Sequence, residues 1–211
     1  MREREVFALL LLGCIFCGSL VVAAVLASKI LQFGPFYAPA GVLAYCFTFI
    51  CTDVVSEIWG KRHANAVVLA GFISLAFAML LTQLALIWPA ADFWANKSAF
   101  DSILGMTPRI IIASLVAYAL SQYHDIWLFH LIKKRTAGRH LWLRNTSSTI
   151  ISQLIDSTVF ISIAFYGILP LWPLIFGQWL VKVGIALCDT PLVYGAVWFL
   201  RRKLPELPEQ E

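Results

Sequence analysis

The sequence predicts an all-α protein, a polytopic membrane bundle of six helices, and three observations lead there. Of 211 residues, 60% are hydrophobic and 13% charged, and the mean hydropathy is +0.80, too apolar for one soluble core of this length. The apolar residues fall into six runs, each long enough at about 1.5 Å per helical residue to cross a hydrocarbon layer of about 30 Å. The basic residues between those runs alternate between a rich and a poor side, as bilayer topology requires.

The first run, 6–28, follows Arg2-Glu3-Arg4-Glu5 directly and is long enough to span, so it reads as an uncleaved helix rather than a signal peptide. The others cover 40–60, 64–88, 109–132, 146–169 and 175–200. Residues 1–204 thus form one six-helix domain, followed by a short polar tail, 205–211. Twelve of the sixteen Lys and Arg residues fall on one side: Arg2, Arg4, Lys61, Arg62, Lys133, Lys134, Arg135, Arg139, Arg144, Arg201, Arg202 and Lys203. The other side has Lys29, Lys97 and Arg109, and Lys182 lies within the last run. Both termini are therefore expected on the cytoplasmic side. The net charge of +4 has its explanation in this topology and implies no nucleic-acid partner. The stretch from Pro89 to Pro108 mixes Phe93, Trp94, Phe100, Ile103 and Leu104 with polar residues. It is expected to lie in the membrane interface, as loop or short amphipathic segment, in preference to covering an outward opening. Five cysteines, an odd number, all sit in apolar runs, and Cys14-x-x-Cys17 lacks a second ligand pair. Neither a disulfide framework nor a metal or other cofactor is expected.

The functional signal lies in the polar residues inside the runs. An aspartate near the centre of a bilayer costs about 2.5–3.5 kcal/mol on insertion scales, so it must face protein or a wet cavity. In R-N-T-S-S-T-I-I-S-Q-L-I-D-S-T-V-F (144–160), helical spacing aligns Asn145, Thr149, Gln153, Asp156 and Phe160 in one stripe. The same stripe stands 31 residues earlier as Ser114, Tyr118, Gln122, Asp125 and Phe129, with S-Q-x-x-D-x-x-x-F common to both. Two such stripes point to a shared site. Asp53 and Glu57 share a face of the second helix; Glu57, four before Lys61, also fits an interfacial ion pair. Gln178, Lys182 and Asp189 share a face of the sixth, but Lys182 and Asp189 are about 10 Å apart along the axis, so Lys182 needs another partner. Candidates are Asp53, Asp125, Asp156 or a ligand carbonyl. The four histidines read as packing or interface residues.

Carboxylates accept parallel N–H bonds from a guanine-like edge, amides such as Gln122, Gln153 and Asn145 give and accept, and Tyr45, Tyr118, Phe129 and Phe160 can stack on a flat ring. These groups suit a planar heterocycle rich in hydrogen-bonding atoms. The same carboxylates also suit proton movement in a carrier.

Four segments carry a family resemblance: T-F-I-C-T-D-V-V-S-E-I-W-G-K-R (48–62), P-R-I-I-I-A-S-L-V-A-Y-A-L-S-Q-Y-H-D (108–125), the 144–160 stretch, and K-V-G-I-A-L-C-D-T-P-L-V-Y (182–194). In these the chain resembles the queuosine precursor transporter family, also described as vitamin-uptake-transporter-like. It departs at Trp59, where the family usually has tyrosine, a difference expected to affect packing more than the site. The resemblance implies a six-helix inner-membrane importer of 7-deazaguanines, 7-cyano-7-deazaguanine and the 7-aminomethyl form, for tRNA modification. It also implies similarity to the substrate-binding subunits of energy-coupling-factor transporters. Site residues implied are Asp53, Gln122, Asp125, Asn145, Gln153, Asp156 and Lys182, with Glu57, Asp189 and Tyr45 beside them. Asp156 or Asp125 would receive the N1–H and exocyclic amine, the glutamines would complete the edge, and Lys182 would bind the carbonyl or neutralise a carboxylate. Partners implied are the small-molecule base, the lipid bilayer and either a second copy or an energising subunit; the chain has no nucleotide-binding loop of its own. Three alternatives are a substrate-binding subunit of an ATP-driven complex, a structural accessory subunit whose polar stripes are interhelical glue, and a membrane-embedded enzyme. The last is disfavoured because the two helical aspartates stand in S-Q-x-x-D and no Gly-x-Gly-Asp occurs.

Overall fold

A computed structural model describes residues 3–135 and 141–203; within its helices, the side chains of Gln122, Asp125, Asn145 and Asp189 lie outside the described residues. The order is α1 (Glu3–Leu26), β1 (Ile30–Phe33), β2 (Phe36–Pro39), α2 (Val42–Trp59), α3 (Lys61–Ile87), α4 (Lys97–Leu104), α5 (Thr107–Arg135), α6 (Leu141–Phe165) and α7 (Leu171–Lys203). The apolar runs are helical because a helix satisfies every backbone donor and acceptor within itself, which a lipid-facing segment must do. By length and composition, Glu3–Leu26, Val42–Trp59, Arg62–Ile87 and Lys97–Ser121 are apolar enough to cross a membrane, while Ile150–Phe165 and Leu171–Ile185 are shorter apolar segments. The outward faces of α1 and α3 expose Phe7, Leu10, Leu69, Ile73, Phe77 and Leu80, a surface suited to lipid rather than water.

Gly60 alone separates α2 from α3. Its φ of 81° and ψ of 171° are open essentially only to glycine, and its N–H donates to the Ser56 carbonyl at 3.0 Å while the Ala64 N–H returns to its own carbonyl at 3.3 Å. The chain therefore reverses with little backbone left unpaired. At the opposite end of the bundle Arg109, near the start of α5, donates from Nε to the Ile163 carbonyl at 2.6 Å and from Nη2 to the Tyr166 carbonyl at 2.9 Å. These acceptors lie in the last turn of α6 and immediately after it, where carbonyls lack intrahelical partners and the helix dipole favours a cation. Arg109→Gln is expected to cost about 1–2 kcal/mol, read as a lower melting temperature of the solubilised protein, with Arg109→Lys recovering only part of it.

The structure corrects the all-α expectation in one place. β1 and β2 form an antiparallel hairpin in the register Ile30↔Pro39 to Phe33↔Phe36, closed by the Ala40 N–H donating to the Lys29 carbonyl at 2.7 Å. A two-stranded ribbon is marginal by itself, so nothing local announces it; here α7 supports it. At Gly177 a Cβ would stand 1.9 Å from the Tyr37 carbonyl oxygen, which shows how closely the hairpin backbone lies on that helix. Ala38, Pro39, Ala40 and Val42 are buried. Non-helical backbone is thereby brought into the bundle, an arrangement tolerated where protein covers it or where it lines a cavity.

α4 bears out a short amphipathic segment in the Pro89–Pro108 stretch. None of its residues is buried, and Lys97 pairs with Asp101 at 2.6 Å on its surface.

Candidate functional site

Lys182, on α7, has the partner it needs: its Nζ donates to Asp156 on α6. Both groups are well covered, with side-chain exposures of 6% for Lys182 and 16% for Asp156. Of the four partners left open by the sequence, the structure selects Asp156. The ammonium also lies over the Tyr45 ring of α2, 5.1 Å from its centroid, a cation–π contact that strengthens when water is excluded. Ser114 of α5 lines the same cavity as Tyr45. Four helices thus converge on one ion pair.

The pair opens onto a cavity near the hairpin end of the bundle, whose lining includes Tyr45, Ser114, Phe160 and Gln178 together with Pro39 and Gly41 of the hairpin and its exit. The space open to the centre of a water molecule is about 20 Å³, little more than one water requires. Gln178 is buried, 4% exposed, one helical turn before Lys182. Phe160, one turn beyond Asp156, offers a ring face and packs edge-on to Phe165 at 6.1 Å between centroids. This wall combines an acceptor, a cationic donor, an amide that does both and an aromatic ring.

Other expected residues stand elsewhere. Asp53 is on α2 but lines a second cavity, with Thr48, Thr52, Ser56 and Asn65. Glu57 lies one turn further along α2 on an exposed surface. Gln153 is one turn before Asp156, with its Oε1 buried and without a hydrogen-bond partner among the described residues. Gln122, Asp125, Asn145 and Asp189 fall on α5, α6 and α7 as expected, and their side chains are outside the described residues. His63 Nδ1 stands 2.7 Å from the Trp59 carbonyl and His124 Nδ1 2.9 Å from the Leu120 carbonyl, local contacts of the kind that helix-bound histidines make. Trp59 is buried in the core, in keeping with a packing role.

Two polar residues of the cavity, Gln178 and Ser114, are not among the site residues expected from the sequence. Their signals were present: Gln178 precedes Lys182 by four, and Ser114 occupies the position of Asn145 in the earlier copy of the stripe. The contribution of Pro39 and Gly41 had no comparable signal, since it depends on the hairpin entering the bundle.

Comparison with known proteins supports a single assignment. The family described as "Putative vitamin uptake transporter" matches residues 39–196. A "Probable queuosine precursor transporter" of Bacillus subtilis is 34% identical over 163 residues, 75% of this chain and 71% of that protein. The chain belongs to the queuosine precursor transporter family. A "Queuosine precursor transporter" of Escherichia coli is 28% identical over 62% of this chain and 57% of its own length. A "Probable queuosine precursor transporter" of Haemophilus influenzae is 28% identical over 62% and 53%. The chain thus spans just over half the length of these two relatives. No solved structure matches it. Family members are transporters rather than enzymes, and the apolar helices make this one a multi-pass membrane protein.

Proposed function

We propose that this protein imports 7-deazaguanine precursors of queuosine, 7-cyano-7-deazaguanine or its 7-aminomethyl form, and that Asp156 and Lys182 hold the base. The names of the relatives supply the substrate class. The observation that carries the reading is the ion pair on the cavity, with Gln178 and Phe160 beside it. The pyrimidine edge of such a base presents, side by side, an exocyclic amine, N1–H and a carbonyl: two donors, then an acceptor. A carboxylate accepts the two donors in parallel, and an adjacent ammonium donates to the carbonyl. The pair therefore presents complementary groups in the required order, and the base exchanges one charge-assisted contact for several. Gln178 completes the edge and Phe160 faces the ring.

The six long helices span the bilayer, with both termini on the cytoplasmic side as the distribution of basic residues directs. Among the expected residues, Gln122, Asp125, Asn145, Gln153 and Asp189 remain candidates for the same polar interior. The test is uptake of labelled 7-cyano-7-deazaguanine into liposomes containing only this protein, with and without a proton gradient. Uptake is expected, with competition by unlabelled base and much weaker competition by an analogue lacking the exocyclic amine. Equal competition by that analogue would remove the carboxylate assignment. Binding without transport in either condition would instead favour a substrate-binding subunit that needs an energising partner.

A further inference from the structure

Tyr45 and Ser114, with Leu20 and Leu75, line two cavities at once. On one side is the contracted cavity of the Asp156–Lys182 pair. On the other, toward the Gly60 turn, is a larger vestibule with about 350 Å³ open to the centre of a water molecule, against about 20 Å³ at the ion pair. Tyr45 and Ser114, each lining both spaces, are therefore part of a partition between a small chamber near the hairpin and a roomy one near the α2–α3 reversal.

The vestibule has a definite chemistry. The Thr48 hydroxyl donates to the Tyr45 carbonyl at 2.7 Å, and the Thr52 hydroxyl points its donor at the carbonyls of Thr48 and Phe49, each at 3.0 Å. With their protons engaged on the helix, both hydroxyls keep oxygen lone pairs for another partner. Asp53 adds a carboxylate to the same lining, and Asn65 an amide. Aromatic rings complete it: Phe72 and Tyr118 pack edge to face at 4.8 Å between centroids, and both line the space with Phe49. An acceptor-rich wall opposite ring surfaces suits a flat base whose edge is rich in N–H donors, and the volume is on the scale of small-ligand sites, about 300–1,000 Å³.

We propose that the vestibule is a second binding station for the transported base, with Asp53 as its principal acceptor and the Tyr45–Ser114 partition as the door from the Asp156–Lys182 station. This rests on the import function proposed above and adds a second site to it. The two stations share a substrate but not a carboxylate, so they separate experimentally. The first chamber is the smaller and the second the roomier.

The test measures two quantities on the full-length protein: equilibrium binding of labelled 7-cyano-7-deazaguanine in nanodiscs, and its uptake into liposomes. Asp53→Asn and, independently, Asn65→Trp, which fills the vestibule from α3, are each expected to slow uptake by about tenfold or more. High-affinity binding should stay within about threefold of the unsubstituted protein, which also shows that each variant is folded. Asp156→Asn should lose binding and uptake together. Normal uptake by both vestibule variants would take the vestibule off the path and overturn the proposal. Loss of binding in Asp53→Asn as complete as in Asp156→Asn would merge the stations into one and overturn it equally. An unsubstituted protein that neither binds nor transports the base would overturn the import function itself, a failure seen before any substitution is made.

Discussion

Asp156→Asn is expected to lower uptake of the base by about a hundredfold or more, while the protein stays folded in the membrane. The amide keeps one oxygen for Lys182, so the ammonium retains an acceptor. It cannot, however, accept two parallel N–H bonds, because its nitrogen is itself a donor. Two hydrogen bonds to a charged group are weakened or lost, each contributing about 1.5–3 kcal/mol, and about 1.4 kcal/mol is a factor of ten. The reciprocal change behaves differently. Lys182→Met leaves Asp156 facing an apolar side chain in a largely buried position, and breaking a buried pair from one side costs about 3–5 kcal/mol. That variant should express poorly or melt much earlier. Replacing both residues, Asp156→Leu with Lys182→Met, should recover most of the stability and none of the uptake, since well-packed apolar residues often replace a buried pair at little cost. Thermal stability and uptake measured on all three variants check these outcomes. Substantial uptake by the double variant would show that the pair is structural glue and that the base is held elsewhere.

Gly177→Ala carries the second large effect. The added methyl carbon would stand 1.9 Å from the Tyr37 carbonyl oxygen and 2.7 and 2.8 Å from the Tyr37 carbonyl carbon and amide nitrogen. All three neighbours are backbone, so no flexible side-chain tip can swing aside. Either the hairpin lifts from α7 or α7 shifts, and overpacking of this kind costs about 1–3 kcal/mol or more. The melting temperature should fall, and protease should cut more readily at the Gly34–Pro35 turn as the strands lose their support. Gly184, on the same helix, is the control: nothing stands within 4 Å of a Cβ there, so Gly184→Ala should be neutral or stabilising by up to about 1 kcal/mol. Equal loss from both substitutions would mean that α7, not the hairpin contact, is sensitive. Because Pro39 lines the ion-pair cavity, Gly177→Ala should reduce uptake as well.

Much of this molecule was legible in the sequence because a bilayer imposes one-dimensional rules. Long apolar runs have to be helical, and the structure places α1, α2, α3, α5, α6 and α7 where six runs stood. An ion pair inside the bundle was also readable in outline: Lys182 was too far from Asp189 along one helix to be its partner, and charges in such surroundings need one. Family membership was legible from four segments, since they keep polar residues at fixed helical spacings.

What the sequence left open depended on packing between elements distant in the chain. Which carboxylate meets Lys182 was undetermined among Asp53, Asp125 and Asp156, because helical spacing fixes faces and not rotations between helices. The tertiary structure pairs Lys182 with Asp156 and sets Asp53 on the other side of Tyr45 and Ser114, dividing what read as one polar interior into two chambers. The hairpin was unreadable for a related reason. Two short strands have little stability of their own, and it is the bare backbone of Gly177, more than 130 residues onward, that gives them a surface to lie on. Sequence by itself determined the helices and the kinds of group available inside them. Only the folded bundle decided which of those groups meet, because that depends on how the helices turn toward one another.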